Sequence, residues 1–214
     1  LGRDVLSRII FGARISLQIQ VVAVLLALVV GVTLGAVGGY LGGRMDNLIM
    51  RAMDVLLAFP SIFLALGIIA ALGTGLVNLM IAAGISSIPA FARIVRGSVL
   101  SLKERKFVEA ARALGAGGGR VLCRHLLPNC LAPIIVQATL RMATVLLTAS
   151  GLSFLGLGVQ PPTPEWGAML SNARSYLIVA PYVATIPGLA IMVVVVGFNL
   201  FGDGLRDTLD PRLR

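Results

Sequence analysis

The chain has 214 residues, of which 57% are hydrophobic and only 13% are charged, and its mean hydropathy is +0.96. A soluble domain carries about 25% charged residues, so this composition excludes a soluble globular protein and indicates an integral membrane protein. The formal net charge is +9, but the cations are scattered along loops between apolar runs, which argues against a nucleic-acid-binding domain.

Apolar runs in the sequence predict five membrane crossings. A helical crossing needs about 20 apolar residues, and the uncharged run 55–92 is too long for one. Its central Gly73-Thr74-Gly75 predicts two helices joined by a tight external turn. The runs are continuously apolar rather than alternating, which favours helices over a barrel. We therefore predict an all-α polytopic membrane protein, a single domain over 1–214, with spans at about 16–39, 55–73, 76–97, 129–157 and 178–201.

The first predicted span carries glycines at a strict four-residue spacing, at Gly31, Gly35, Gly39 and Gly43. Small residues at this spacing allow two membrane helices to approach closely. The pattern fits packing against another helix of the same chain and contact with a second subunit equally well.

The distribution of Lys and Arg predicts the orientation. Two of these residues lie in 40–54, eight in 93–124 and three in the carboxyl-terminal tail, whereas the other side holds Arg3, Arg8, Arg14 and Arg174. The positive-inside rule places the richer side in the cytoplasm. Five crossings then put the amino terminus outside, and because the chain opens at Leu1 without an initiator Met, we expect one more transmembrane helix before it.

The polar interval 98–127 predicts a short amphipathic helix in the cytoplasm. Ser101 and Glu104 fit a capping box, and Gly115 is a natural helix stop. The enclosed helix would be about 20 Å long. Helical spacing places one face at Phe107, Ala110, Ala111 and Leu114.

Three uses of this helix are consistent with its sequence. It could lie flat on the lipid surface, link two spans, or receive a partner protein. The small side chains of Ala110 and Ala111 argue against simple lipid anchoring, because they leave room for a partner backbone. Glu109 could also form an ion pair with Arg105 or Arg112 within the helix.

Arg141 lies within the fourth predicted span. If that span begins at Pro128, Arg141 is about 20 Å along it, at a depth where a charged side chain usually faces a cavity or a partner. It is therefore a candidate for the translocation path. The alternative is that 129–141 form an oblique interfacial helix from which Arg141 reaches the membrane surface.

A proline-rich external loop, 161–167, precedes the last span. Rigid turns and an interfacial Trp are common at a membrane boundary. Its Glu165 and Trp166 are also candidates for contact with an external binding protein.

No catalytic or metal site is predicted. Cys123, Cys130 and His125 form a three-ligand set of poor spacing for zinc, so the cysteines are interpreted as free thiols. Neither Lys103 nor Lys106 follows a glycine, which excludes a Gly-Lys-Ser/Thr phosphate loop. With no nucleophile–base set or paired carboxylates, we expect no enzymatic activity and no cofactor.

Several motifs resemble those of permease subunits of ATP-binding cassette (ABC) importers. Glu109-Ala110-Ala111, Gly115 and Leu127-Pro128 match the cytoplasmic-loop signature of that family, with His125 standing where isoleucine is usual. The segment 125–129 is similar to the variant found in the dipeptide, oligopeptide and nickel permease group, and specifically to its C-type subunit. Further similar segments cover nearly the whole chain: Leu1-Gly2-Arg3-Asp4, 153–158, Pro164-Glu165-Trp166-Gly167, 202–207 and Asp210-Pro211.

The resemblance implies the transmembrane domain of a type I ABC importer, normally with six spans, in a bacterial-type inner membrane. It implies a second homologous permease subunit in a heterodimer, two ATPase subunits, an extracytoplasmic substrate-binding protein and surrounding membrane lipids, and no nucleic acid. The short helix would be the coupling helix, seated in an ATPase cleft. The residues expected to couple to the ATPase are Phe107, Glu109, Ala110, Ala111, Leu114, Gly115, Leu127 and Pro128.

The function implied is import of dipeptides or oligopeptides driven by ATP. Within the same architecture, nickel or another small solute is the alternative substrate. A different class, an ion-coupled secondary transporter, would need intramembrane carboxylates or inverted repeats. The centres of the predicted spans contain no acidic residue, and we find no convincing repeat.

Overall fold

The computed structural model describes residues 4–209, which form helices and contain no strand. The similar segments at 1–3 and 210–211 lie outside the described residues. In chain order the α-helices are α1 Val5–Leu41, α2 Gly43–Leu57, α3 Ser61–Leu72, α4 Leu76–Leu102, α5 Lys106–Ala113, α6 Gly118–Arg120, α7 Leu131–Phe154, α8 Trp166–Ala173 and α9 Tyr182–Leu209.

Four helical runs within 4–209 are long and apolar enough to cross a membrane. They are α1, α4, the run Gly118–Phe154 that ends in α7, and α9. A fifth candidate is the pair α2 and α3, whose axes are bent by 91°. The prediction of an all-α polytopic membrane protein is confirmed.

The second predicted span, 55–73, differs from the structure because the chain bends inside it. Proline disfavours helical backbone in the residue before it and cannot donate a helix hydrogen bond, so Phe59-Pro60 ends α2 and starts α3. The straight segment α3 has only 12 residues, about 18 Å of helix. The predicted turn at Gly73-Thr74-Gly75 is confirmed, and Asn78 closes it by donating from Nδ2 to the Leu72 carbonyl at 2.9 Å.

The glycines of α1 pack against α4 of the same chain. A Cβ at Gly31 would lie 2.6 Å from the Cβ of Phe91, and one at Gly35 would collide with the backbone of Ala92. At Gly39 a Cβ would lie 3.0 Å from the carbonyl oxygen of Arg96. Of the two arrangements left open by the spacing, the intramolecular one is therefore observed. Gly43 is different, since it begins α2 with a φ of 56°.

The remaining helices assemble around this α1–α4 pair. α7 packs against α1, α4 and α9, and α8 packs against α7 and α9. One end of the molecule carries α2, α5 and α6 and is called the α5 end. The opposite end carries the 73–75 turn and α8 and is called the α8 end.

Two ion pairs fasten α2 to α4 near the α5 end. The two carboxylate oxygens of Asp46 accept hydrogen bonds from the Arg96 guanidinium, both at 2.6 Å. Asp54 accepts one from Arg93, also at 2.6 Å. Because Asp46 is buried while Asp54 is exposed, the first pair fixes α2 more strongly than the second.

We predict that Gly35→Ala destabilises the fold. The added methyl group would meet the Ala92 backbone, which cannot move without separating α1 from α4, and overpacking of this kind costs about 1–3 kcal/mol. Thermal unfolding of the purified protein in detergent measures the effect.

Gly97→Ala is the matched control, because Gly97 also lies within a helix and a Cβ there meets nothing within 4 Å. Equal melting temperatures for the two variants would contradict the close α1–α4 contact.

Candidate functional site

α5 is held on the body of the protein by its buried face. The side chain of Val108 is fully buried and Ala111 is nearly so. Val108 belongs to a hydrophobic cluster that joins α1, α4 and the segment after α5: Ala36, Val95, Val99, Val108, Val121, Leu126, Cys130 and Ile134. This contact fixes the base of α5 on both long helices.

The predicted start of the helix is wrong. Ser101 is not a helix cap, because α4 continues to Leu102, whose side chain packs against the same cluster. α5 begins after Arg105, which provides no side-chain cap. The helix therefore has 8 residues, about 12 Å, rather than the expected length of about 20 Å.

The predicted stop at Gly115 is confirmed. The N–H of Gly115 donates to the carbonyl of Arg112 at 2.9 Å, and the N–H of Ala116 donates to that of Ala111 at 3.0 Å. These two bonds form a Schellman motif. Gly115 has a φ of 84°, a left-handed backbone conformation that favours glycine.

The face that α5 presents to solvent is rotated from the predicted one. Ala111 lies on the buried side with Val108, whereas Phe107, Glu109 and Ala110 are exposed and Leu114 is 89% exposed. Among residues 4–209 Glu109 makes no ion pair, so the predicted pairing with Arg105 or Arg112 is not observed. The exposed surface of α5 thus combines two apolar side chains, a small residue and an unneutralised carboxylate.

The chain returns from α5 to α7 through consecutive short helical segments. α6 starts at Gly118 and continues through a π-helical turn, Val121–Leu126, and a 3₁₀ turn, Leu127–Cys130. The side chain of Leu127 is half-buried against the cluster around Val108, while Pro128 is exposed. Leu127 therefore supports the base of α5.

Arg141 lies on α7, ten residues after its first residue, and is half-buried. A cavity of about 460 Å³ opens between α4, α7 and α9 toward the α5 end. Gln137 and Leu140 line this cavity, but Arg141 does not. The role of Arg141 in a translocation path stays a prediction.

Glu165 and Trp166 are buried, so the expectation that they face an external protein is wrong. Glu165 caps α8 by accepting hydrogen bonds from the N–H groups of Gly167 at 3.0 Å and Ala168 at 2.8 Å. The Trp166 indole N–H donates to the carbonyl of Ile9 at 3.0 Å. A Cβ at Gly167 would collide with the backbone of Ser150. These contacts place α8 inside the α8 end, against α1 and α7.

The Glu165 carboxyl is the most deeply buried acidic group in the described part of the chain. Burial raises its pKa, although the N–H groups of Gly167 and Ala168 and the hydroxyls of Ser153 and Ser16 favour the charged form. Desolvation is therefore the larger of the opposing effects.

Within residues 4–209, no group of three or more His, Cys, Asp and Glu side chains could hold a metal ion. Cys123 is exposed and Cys130 is buried, and both are free thiols.

The sequence from residue 9 to residue 214 matches the family described as binding-protein-dependent transport system inner membrane component. The chain is 53% identical over 213 residues to a dipeptide transport system permease protein of Alkalihalophilus pseudofirmus, covering all of this chain and 70% of the relative. It is 51% identical over 214 residues to a glutathione transport system permease protein of Pectobacterium atrosepticum, covering all of this chain and 71% of the relative.

The fold is similar to those of solved ABC transporters. An inward-facing methionine ABC transporter aligns with a TM-score of 0.77 at 17% identity, over 98% of this chain and 100% of that one. An amino acid ABC transporter with histidines aligns with a TM-score of 0.67 at 15% identity, over the same shares of the two chains.

We predict that Glu165 makes the stability of the protein depend on pH. Because the folded-state pKa is raised, the stabilising contribution of the protonated carboxyl is fully present below the pKa of the unfolded chain, about 4.3, and is lost as the pH rises through the folded-state pKa. The melting temperature of the wild type should therefore increase relative to that of Glu165→Gln as the pH is lowered from about 8 to about 5. Parallel melting curves across that range would contradict the prediction.

Proposed function

The chain belongs to the family of binding-protein-dependent transport system inner membrane components, and on that premise we propose that it forms half of a translocation path for dipeptides or oligopeptides. It is the permease subunit of an ABC importer and resides in the inner membrane. Membership of this family excludes the ion-coupled secondary transporter considered from the sequence.

A permease of this kind works with ATPase subunits and a substrate-binding protein. We propose that two ATPase subunits and a second, homologous permease subunit complete the importer, with membrane lipids covering the remaining apolar surface. In this proposal the energy for transport comes from ATP hydrolysed by the ATPase subunits.

The observation that carries the proposed coupling role is the exposure of α5 on a fixed base. Val108 is buried in a cluster that includes residues of α1 and α4. Phe107 and Leu114 lie one helical turn before and after the buried Ala111, and both are exposed apolar side chains in a segment rich in charge. An apolar contact surface on a rigid support suits a partner that must push or pull the membrane helices as a body.

This assignment also requires α5 to lie in the cytoplasm, where ATP is available. The Arg and Lys residues of 93–124 support that orientation through the positive-inside rule. Within the described residues, Arg93, Arg96 and Lys103 already contact partners of the same chain at the α5 end. The exposed Arg105 and Lys106 are left to interact with an ATPase subunit or with lipid headgroups.

The proposed substrate class follows from the relatives. One is a dipeptide permease and another is a glutathione permease, and glutathione is itself a small peptide. Import of peptides is therefore favoured over import of nickel or of an unrelated small solute.

We predict that Gly115→Val uncouples the importer. Valine strongly disfavours the left-handed backbone that ends α5, at a cost of about 1–2 kcal/mol, so the exposed Leu114 and the last turn should shift. ATP-dependent uptake in membrane vesicles and co-purification of the ATPase subunits measure the effect, and both should fall. Glu109→Lys should act in the same direction by reversing a charge on the exposed face.

Gly119→Val is the matched control. Gly119 follows α5 closely, has no left-handed φ and has open space around its Cα. Uptake and ATPase association that remain at the wild-type level in Gly115→Val and Glu109→Lys would exclude the coupling role.

For the substrate, we predict ATP-dependent accumulation of labelled dipeptides or of glutathione in vesicles that contain the importer and its binding protein. Nickel should not accumulate and should not compete. Accumulation of nickel without any of peptides would contradict the proposed substrate class while leaving the coupling role intact.

A further inference from the structure

The end of α1 is attached to both ends of α5. Lys103, in the turn before α5, donates a hydrogen bond from Nζ to the carbonyl oxygen of Gly39 at 3.2 Å. Arg112, in the last turn of α5, lies over the ring of Tyr40, with its guanidinium carbon 5.9 Å from the ring centroid. This distance is within the range of a cation–π contact. The last two residues before the end of α1 therefore bracket the short helix.

Tyr40 also lies against the segment by which the chain leaves α5. A Cβ at Gly118 would lie 3.0 Å from the Tyr40 hydroxyl oxygen and 3.3 Å from its Cε1. Gly118 has no left-handed φ, so the space taken by the tyrosine ring is what disfavours a side chain there. The half-buried ring thus lies between the carboxyl end of α5 and the first residue of α6.

The tyrosine is carried by a part of α1 that packs closely against α4. Its neighbour Gly39 packs on the carbonyl of Arg96 and on Val99, so this end of α1 cannot move separately from α4. Without the ring, α5 would be joined to this helix pair by the short turn 103–105 and by the buried Val108. A helix of two turns whose buried contact consists of Val108 and the small Ala111 is free to tilt about that contact.

We propose that Tyr40 is a positioning residue that fixes the angle of α5 relative to the α1–α4 pair. A displacement of α5 then moves α1 and α4 together instead of tilting α5 on its base. A tyrosine suits this role because its ring is rigid and offers a face to Arg112 and an edge to Gly118. The inference rests on the proposed function, in which α5 receives the motion of an ATPase subunit.

The experiment compares Tyr40→Leu and Tyr40→Phe in the complete importer, reconstituted in lipid vesicles with its ATPase subunits and binding protein. The measured quantity is the number of peptides imported per ATP hydrolysed. This ratio should fall about two- to fivefold in Tyr40→Leu, the factor that corresponds to loss of one partly exposed cation–π contact, while the ATPase subunits stay bound. Tyr40→Phe keeps the ring face and should retain most of the ratio. Tyr182→Leu, an exposed tyrosine at the α8 end, is the matched control and should behave as the wild type.

A second pair of variants tests the contact with Gly118. Gly118→Ala should lower the ratio, because the methyl group would displace the Tyr40 hydroxyl. Adding Tyr40→Phe to Gly118→Ala removes the nearest of the colliding atoms and should restore part of the ratio. If the two substitutions instead acted by disturbing folding, the double variant would import fewer peptides per ATP than either single variant.

Different results overturn different statements. An unchanged ratio in Tyr40→Leu overturns the positioning role, as does loss of the ATPase subunits from that variant, because Tyr40 would then act in docking or folding. If Glu109→Lys and Gly115→Val disturb transport while Tyr40→Leu does not, the coupling role of α5 stands and only the Tyr40 inference fails. If none of these variants changes transport, the proposed function of α5 fails as well.

Discussion

Backbone-to-backbone contact between α1 and α4 is the constraint on which the other features of this protein depend. Helices in a bilayer gain little from the hydrophobic effect when they associate, because lipid chains are as apolar as their side chains. Close packing must supply the attraction, and Gly31, Gly35 and Gly39 allow the α4 backbone to approach α1. Gly84 contributes from the other side, where a Cβ would lie 3.1 Å from the carbonyl oxygen of Ala23. The pair therefore behaves as one rigid unit.

The two ends of this unit support short helices in opposite ways. At the α5 end, α5 buries only Val108 and Ala111 and leaves its remaining surface exposed. At the α8 end, α8 buries most of its residues, and its amino terminus is satisfied by a carboxylate that has been removed from solvent. A helix that must interact with a moving partner needs an accessible surface. A helix that only completes the packing does not, and its polar groups must be paired internally.

The apolar runs predicted the helical class, and the positions of glycine predicted the 73–75 turn and the stop at Gly115. Each of these features depends on composition or on a local backbone requirement. The break at Pro60 was visible in the sequence but was hidden by the hydropathy of the surrounding run.

The capping box at Ser101 failed because packing of Leu102 extends α4 past a favourable local signal. The exposed face of α5 was predicted about 100° away from its observed orientation, which is the rotation of one helical residue. Alanines lie on several sides of this helix, so the difference in hydrophobicity between its faces is small. Burial of Glu165 and Trp166 depends on contacts with residues 150 positions away, which loop composition does not reveal.

The bend between α2 and α3 has a consequence for the surrounding lipid. α3 has 12 residues and spans about 18 Å, whereas the hydrocarbon core of a bilayer is about 30 Å thick. α2 cannot extend the crossing in the same direction, because it turns away by 91° and is fastened to α4 through Asp46. Hydrophobic mismatch of this size is relieved by thinning of the adjacent leaflet or by drawing α2 into the headgroup region. The transport activity of the importer should therefore depend on the acyl-chain length of the surrounding lipids, because α3 forms a short crossing at one side of the subunit. This dependence should be the same for every solute that the importer carries.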